Sequence, residues 1–324
     1  MQLEKAKPFF RWLAGLTVAG LSIWLLIKDL DWFSVFKALA EADYRWVVVG
    51  VAAIVATFFT RAFRWKALLW NSHLPLRSAI TAILVGQVVN LAIPMRSGDV
   101  LRALWISPEG ELSAAEALGS IAIEKIWDLL ALLVCGLAIL ILMPIPDWFA
   151  RSTWTTALIF PVLIAVIWCA LRWQNVLFRW ISRILALVPI GWDKALLSFL
   201  SRLTNGLEAI RRPETYLKVL LWTGFTWLSG GVANWAVLEA FGIPSLKAAL
   251  FLLATLMAGG TVPVPGRLGI FEGICVISLA LFGVPRDLAL AVGLVLHLVV
   301  MAPPLVAAGI LGFWPQWRKS NVRT

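Results

Sequence analysis

At 324 residues with 61% hydrophobic and 14% charged side chains and a mean hydropathy of +0.88, the chain lies far outside the composition of soluble domains, which are about 45–50% apolar. Its formal net charge of +10 reads as a cytoplasmic excess of Lys and Arg, and secondarily as attraction to anionic lipid headgroups, with no nucleic-acid partner expected. A membrane β-barrel is excluded too, because barrel strands alternate apolar and polar residues while these segments are apolar all round over about 16–25 residues, the length a bilayer core needs.

In chain order, the first predicted element is a span over 9–28, led by Lys5, Lys7 and Arg11. A secretory signal is the other reading of that run, but the small-residue pattern Ala38-Leu39-Ala40 lies about ten residues beyond it, which favours a retained span. Residues 30–42 keep helical spacing, with Trp32, Phe33, Phe36 and Leu39 on one side and Asp31, Lys37 and Glu41 among the polar positions. This helix is expected to lie along the interface. The second span, 46–60, starts after Asp29, Asp31, Glu41 and Asp43 and ends in Arg61, Arg64 and Lys66, with Arg77 following. The positive-inside rule then places the amino terminus and 61–77 in the cytoplasm.

The apolar run 78–93 leads into Asn90-Leu-Ala-Ile-Pro94-Met-Arg96-Ser97-Gly98-Asp99-Val-Leu-Arg102, which sets a Pro and a Gly around an arginine at membrane depth. Spans follow at 120–143 and 154–171, joined by a turn around Pro144, Pro146 and Asp147. The segment 172–218 is basic and expected to be cytoplasmic and amphipathic. A span over 216–241, a second break inside 248–282 and a last span over 288–313 then lead to a basic tail with Arg318, Lys319 and Arg323.

Pro94-x-Arg96-x-Gly98 returns 171 positions later as Pro265-x-Arg267-x-Gly269, and the same offset carries 46–66 onto 217–237 and 119–143 onto 290–314, apolar segments all. The chain reads as an internal duplication. Because 78–112 must begin and end in the cytoplasm yet holds one run of spanning length, parity predicts a re-entrant hairpin, and the duplication predicts another facing the other way. The expected fold is therefore an all-α polytopic membrane protein with about six full spans and two re-entrant hairpins in an inverted-topology repeat, as in secondary transporters. Its expected parts are 1–44 (first span and interfacial helix), 45–171 (repeat 1, hairpin 78–106), the basic segment 172–215, 216–314 (repeat 2, hairpin 248–282) and the tail 315–324. Both termini are expected in the cytoplasm, in a cell inner membrane.

Helix N-termini at such breaks offer free N–H groups and a positive dipole end to a phosphate. Arg96, Arg102, Arg267, Ser97, Gly98 and Gly269 are accordingly the expected anionic-headgroup residues, with a structural role for the arginines, donating to freed carbonyls, as the alternative. Asn90, Pro94 and Pro265 support the breaks. Glu124 and Asp128 share one helix face, and with Asp99 and Glu272 they read as counter-charges, for Arg96, Arg102 or Lys125 among others, or as proton-coupling groups. His297 reads as a hydrogen-bonded interior histidine or as a proton relay. Arg61, Arg64 and Lys66 read as topology signals, with headgroup contact as a second reading. Cys135, Cys169 and Cys275 have neither disulfide nor metal spacing, no nucleotide-binding or zinc pattern occurs, and no cofactor is expected.

Taken together, Arg61-x-x-Arg64-Trp65, Asn90-x-x-x-Pro94-x-Arg96-x-Gly98-Asp99-x-x-Arg102, Ser120-x-x-x-Glu124-Lys125-x-x-Asp128 and Pro263-x-Pro265-x-Arg267-x-Gly269-x-x-Glu272 resemble the signature of the lysylphosphatidylglycerol synthase transmembrane, or flippase-like, family. Lys125 departs from that pattern, which has arginine there, and keeps the charge. In multiple peptide resistance factors, this membrane region accompanies a soluble aminoacyltransferase domain and moves its product to the outer leaflet. No segment of this chain is large or polar enough to be the transferase, so the resemblance implies a flippase for an anionic phospholipid, such as aminoacyl-phosphatidylglycerol, or a lipid-linked intermediate, and no synthase activity. The implied partners are membrane lipids and a lipid-modifying enzyme or glycosyltransferase. Two alternatives stay open: an intramembrane lipid-modifying enzyme, and a non-transporting scaffold for a glycosyltransferase that docks on 172–218.

Overall fold

The computed structural model describes residues 17, 20–24, 26, 28, 30–69, 72–93, 97–107, 112–174, 176, 179–180, 182–183, 193–207, 212–260 and 264–310. Among them the regular elements are helices: α1 (Trp32–Glu41), α2 (Tyr44–Leu68), α3 (Leu76–Ala92), α4 (Ser97–Ile106), α5 (Ala114–Leu142), α6 (Asp147–Arg172), α7 (Asp193–Leu207), α8 (Pro213–Ala240), α9 (Leu246–Gly259), a 3-10 turn (Pro265–Arg267), α10 (Ile270–Ala280) and α11 (Arg286–Ile310). Most of the first predicted span, and the basic tail, lie outside the described residues.

Four of these helices are long and apolar enough to cross a bilayer: Tyr44–Leu68, Ala114–Leu142, Asp147–Cys169 and Arg286–Ile310. They match four of the six expected spans. A fifth, α8, has the length at 28 residues but interrupts its aliphatic residues with Thr223, Thr226, Ser229, Gly230, Gly231 and Asn234, and is not among the four. The outer face of α6 presents Trp154, Leu158, Ile159, Val162, Val166 and Trp168 to its surroundings. An apolar surface that size is stable only against lipid, so the protein is an integral membrane protein.

The helices fall into two compact units, each discontinuous in sequence. The first comprises residues 1–62, 80–102 and 224–324 and contains both predicted breaks. Here α10 packs against α9 and α11, where Gly293 lets the helices approach so closely that an added Cβ would lie 3.1 Å from the Cys275 Cβ. Asp31 starts α1 by accepting the Phe33 N–H (3.0 Å) and the Ser34 hydroxyl (2.6 Å). Val35 is buried against Leu290 and Ala291 of α11, with Leu39 alongside, while Trp32, Phe33 and Phe36 face outward. The expected grouping of Leu39 with the aromatics is thus corrected, because α11 covers the Val35–Leu39 side and leaves the aromatic side exposed.

The second unit, 63–79 and 103–223, is organised on α5. A reciprocal cap begins α5: the Glu116 carboxylate accepts from the Ser113 N–H and hydroxyl at 2.9 Å, and Ser113 Oγ accepts the Glu116 N–H at 3.2 Å. Within the basic segment 172–215, α7 packs along α5, where the Gly119 and Gly206 backbones touch so closely that neither position has room for a Cβ.

Candidate functional site

Two polar clusters interrupt the apolar packing, one in each unit. In the second unit, Ser120, Glu124 and Asp128 recur every four residues and therefore line one face of α5. Arg64 and Trp65 dock on that face. Trp65 Nε1 donates to Ser120 Oγ at 2.9 Å. The Arg64 guanidinium meets the Glu124 carboxylate at 3.1 Å and Asp128 at 2.6 Å, with a further donation to Thr223 Oγ1 at 3.3 Å. Arg64 is 1% exposed and Glu124 fully enclosed. The sequence reading took Arg64 as a topology signal, with headgroup contact as a second reading, and sought the partners of Glu124 and Asp128 at Arg96, Arg102 or Lys125. The structure instead pairs both carboxylates with Arg64, whose fork accepts two acids spaced one turn apart. Arg61, three residues earlier and itself part of the first unit, donates to Gln87 Oε1 of that same unit at 3.2 Å, and Lys66 is half-buried.

In the first unit, the chain turns from α3 into α4 with Gly86 and Gly98 face to face. A Cβ on Gly98 would collide with the Gly86 carbonyl oxygen, and one on Gly86 would sit 2.8 Å from the Gly98 oxygen. The Gly98 N–H donates to Asn90 Oδ1 at 2.9 Å. Arg102 is buried at 1% exposure, with its Cβ over Gly86, and Ser97 and Asp99 stand in the first turn of α4. Pro94 and Arg96 lie outside the described residues.

The second break is described from residue 264 onward. Gly266, Arg267 and Gly269 take φ angles of 59°, 55° and 77°, and Arg267 is the one non-glycine among the described residues with positive φ. A side chain in that region costs about 1–3 kcal/mol and persists where its surroundings fix it. The Arg267 guanidinium folds back onto Gly260 at the C-terminal end of α9, where an added Cβ would lie 3.1–3.2 Å from its atoms. That position places the cation at the negative end of the α9 dipole. Pro265 opens the turn.

Glu272 and His297 bind this break from α10 and α11. His297 Nδ1 lies 2.5 Å from Glu272 Oε1, and Nε2 lies 3.0 Å from the Gly266 carbonyl oxygen. Glu272 Oε2 accepts the Gly269 N–H at 2.8 Å. The Phe271 ring stacks on the imidazole with centroids 4.4 Å apart at 12°. The duplication offset carries Gly98 onto Gly269, so the matching glycine N–H of each break is held by a side-chain oxygen, an amide in one case and a carboxylate in the other.

Sequence reasoning missed the buried role of Arg64 and the pairing of His297 with Glu272. The signal for the first was present: a polar stripe at 120, 124 and 128 in an apolar helix requires a buried polar partner. For the second there was none, since 25 residues and a helix boundary separate the pair.

A family profile described as lysylphosphatidylglycerol synthase TM region matches residues 12–308. Over 132 residues, the chain is 27% identical to a protein named glycosyltransferase AglD from Haloferax volcanii, a match covering 40% of this chain and 21% of that protein. The chain thus matches about a fifth of the length of that relative.

Proposed function

The chain belongs to the lysylphosphatidylglycerol synthase transmembrane family, and from that premise we propose that it moves an anionic phospholipid, such as an aminoacyl-phosphatidylglycerol, or an anionic lipid-linked intermediate between the leaflets of a cell inner membrane. The observation that carries this reading is the second break. On either side of it, α9 has 14 residues and α10 has 11, each short of the about 20 that a crossing helix needs. Backbone that leaves the helix at such a place is tolerated where protein or a watery cavity surrounds it, the setting in which discontinuous helices bind substrates.

In this reading Arg267, Arg102 and Arg96 hold the phosphate, and Ser97, Gly98 and Gly269 supply the helix-end donors. The Gly98 and Gly269 N–H groups are engaged by Asn90 and Glu272, so an arriving phosphate takes them over from those oxygens. Asp99 balances the arginines between substrates, Glu272 carries a coupled proton, and Glu124 and Asp128 act through Arg64. Both re-entrant hairpins and cytoplasmic termini belong to the same proposal.

The match to a protein named a glycosyltransferase favours one second reading, in which the mobile molecule is a lipid-linked sugar and the chain serves a glycosyltransferase, as transporter or as scaffold. One experiment separates these. Leaflet exchange of labelled phospholipids and of polyprenyl-linked sugars is measured in proteoliposomes for the wild type, Arg96→Ala and Arg267→Ala. We expect one lipid class to exchange, and at least a tenfold loss in both variants, about the 1.5–3 kcal/mol of a hydrogen bond to a charged group. Exchange that survives both substitutions removes the proposed site, and no exchange of any lipid removes transport and leaves the scaffold.

A further inference from the structure

We propose that Glu272 and His297 form a proton-binding site, loaded with one exchangeable proton in the conformation described, and that emptying it opens the second helix break. The inference concerns the protonation and shape of the break and holds whether or not a lipid moves there.

The proton count follows from the contacts. A peptide carbonyl oxygen only accepts, so His297 Nε2, 3.0 Å from the Gly266 oxygen, carries a hydrogen. The other ring nitrogen lies 2.5 Å from Glu272 Oε1. Two lone pairs repel at that separation, so a second proton sits between them, whether bonded to the ring or to the carboxyl. The pair thus holds one proton more than a neutral imidazole and a carboxylate. Its net charge is zero, which suits side chains only 5% and 6% exposed.

That proton closes a ring of contacts around the turn. The Gly266 carbonyl accepts from His297, His297 shares its proton with Glu272, and the second Glu272 oxygen accepts the Gly269 N–H at 2.8 Å. The loop so closed contains Arg267 at φ 55°. If the proton leaves to water, the ring cannot persist. Should Nε2 keep its hydrogen, the Nδ1 lone pair faces a carboxylate; should the hydrogen move to Nδ1, the Nε2 lone pair faces the Gly266 carbonyl. One contact of the loop must break in either case, and the backbone at Arg267 loses a fastening.

Few other titratable or charged groups among the described residues face the pair. On α10 there is Cys275, packed with the Glu272 Cα against Gly293 of α11. The turn contributes Arg267, directed at Gly260. From α9 the neighbour of α10 is Thr255, bonded to Ser278 at 3.0 Å. The amino-terminal segment brings Ser22, Ile23 and Leu26 against Gly269 and Gly273. None of these last groups titrates near neutrality, so the pair dominates the local proton balance.

The test uses the full chain in lipid nanodiscs with ¹⁵N-labelled histidine. The sequence has two histidines, His73 and His297, so His73→Gln leaves one signal to follow. As pH is raised between about 5 and 10, we expect the His297 Nδ1 resonance to move once. Amide exchange over 264–273, corrected for intrinsic base catalysis, should rise at least about tenfold in step, while exchange over 32–41 stays level. Glu272→Gln keeps an oxygen for the Gly269 cap and abolishes the step. A His297 signal that never moves, or one that moves without faster exchange at the break, overturns the proposal. Both readouts come from chain with the pair intact, so a misfolded Glu272→Gln variant does not blunt the test.

Discussion

In the unit of residues 63–79 and 103–223, the Arg64 guanidinium sits between Glu124 and Asp128; in the unit that includes 224–324, the imidazole of His297 sits against Glu272. Both pairings bury polar groups among apolar helices, and both join elements remote in sequence. The chemistry of the partners sets them apart. A guanidinium does not surrender its proton, so Arg64 stays a fixed cation between the two acids. An imidazole beside a carboxylate exchanges a single proton and has two arrangements. The first cluster fixes α2 on α5, whereas the second fastens a strained turn only while loaded.

The largest effect is expected from Arg64→Ala, which leaves Glu124 buried without its cation. Removing one member of a buried pair costs about 3–5 kcal/mol, read as a fall in unfolding midpoint in detergent. Arg64→Lys restores charge without the fork and should recover part of the loss. If Arg64→Ala is no less stable than wild type, the cluster is not architectural and the contrast fails.

A smaller loss, about 1–3 kcal/mol, is expected for Gly98→Ala, since the new methyl group meets the Gly86 carbonyl and forces α3 and α4 apart. The cap at this break is the Asn90 amide, which does not ionise, so its stability should stay flat with pH where the second break responds. Thermal unfolding of Gly98→Ala at two pH values checks both points. A wild-type midpoint in Gly98→Ala would show that the close approach is dispensable.

The smallest effect belongs to Asp31 at the start of α1, whose carboxyl is held below its ordinary value by the Ser34 hydroxyl, with the Phe33 and Ser34 backbone N–H groups assisting against desolvation. A depressed carboxyl contributes stability that is complete above its ordinary value, about 3.9, and lost as pH falls through its lower folded value. Asp31→Asn should therefore remove a slight acid-side dependence and leave the pH response assigned to Glu272 and His297 intact. A change in that response in this variant would mean that the pair is not its source.

Much of this was legible beforehand. Apolar runs gave the membrane class and four spans that the structure contains, and the Pro-x-Arg-x-Gly repeat located both breaks. The spacing of Glu124 and Asp128 put them on one face. What they face was not legible: Arg61, Arg64 and Lys66 read together as the basic end of a span, although Arg61 turns to Gln87 and Arg64 to the α5 acids. A helix was anticipated at 30–42 and α1 forms there, but which side of it would be covered waited on α11.

The sequence by itself determined what depends on neighbours along the chain: helicity, spanning length, and breaks at Pro and Gly. The tertiary structure alone decided which charges are buried and with which partners. Periodicity specifies a face of a helix and leaves open which remote helix meets it, and a charge becomes a surface signal, a structural pair or a proton site according to that meeting.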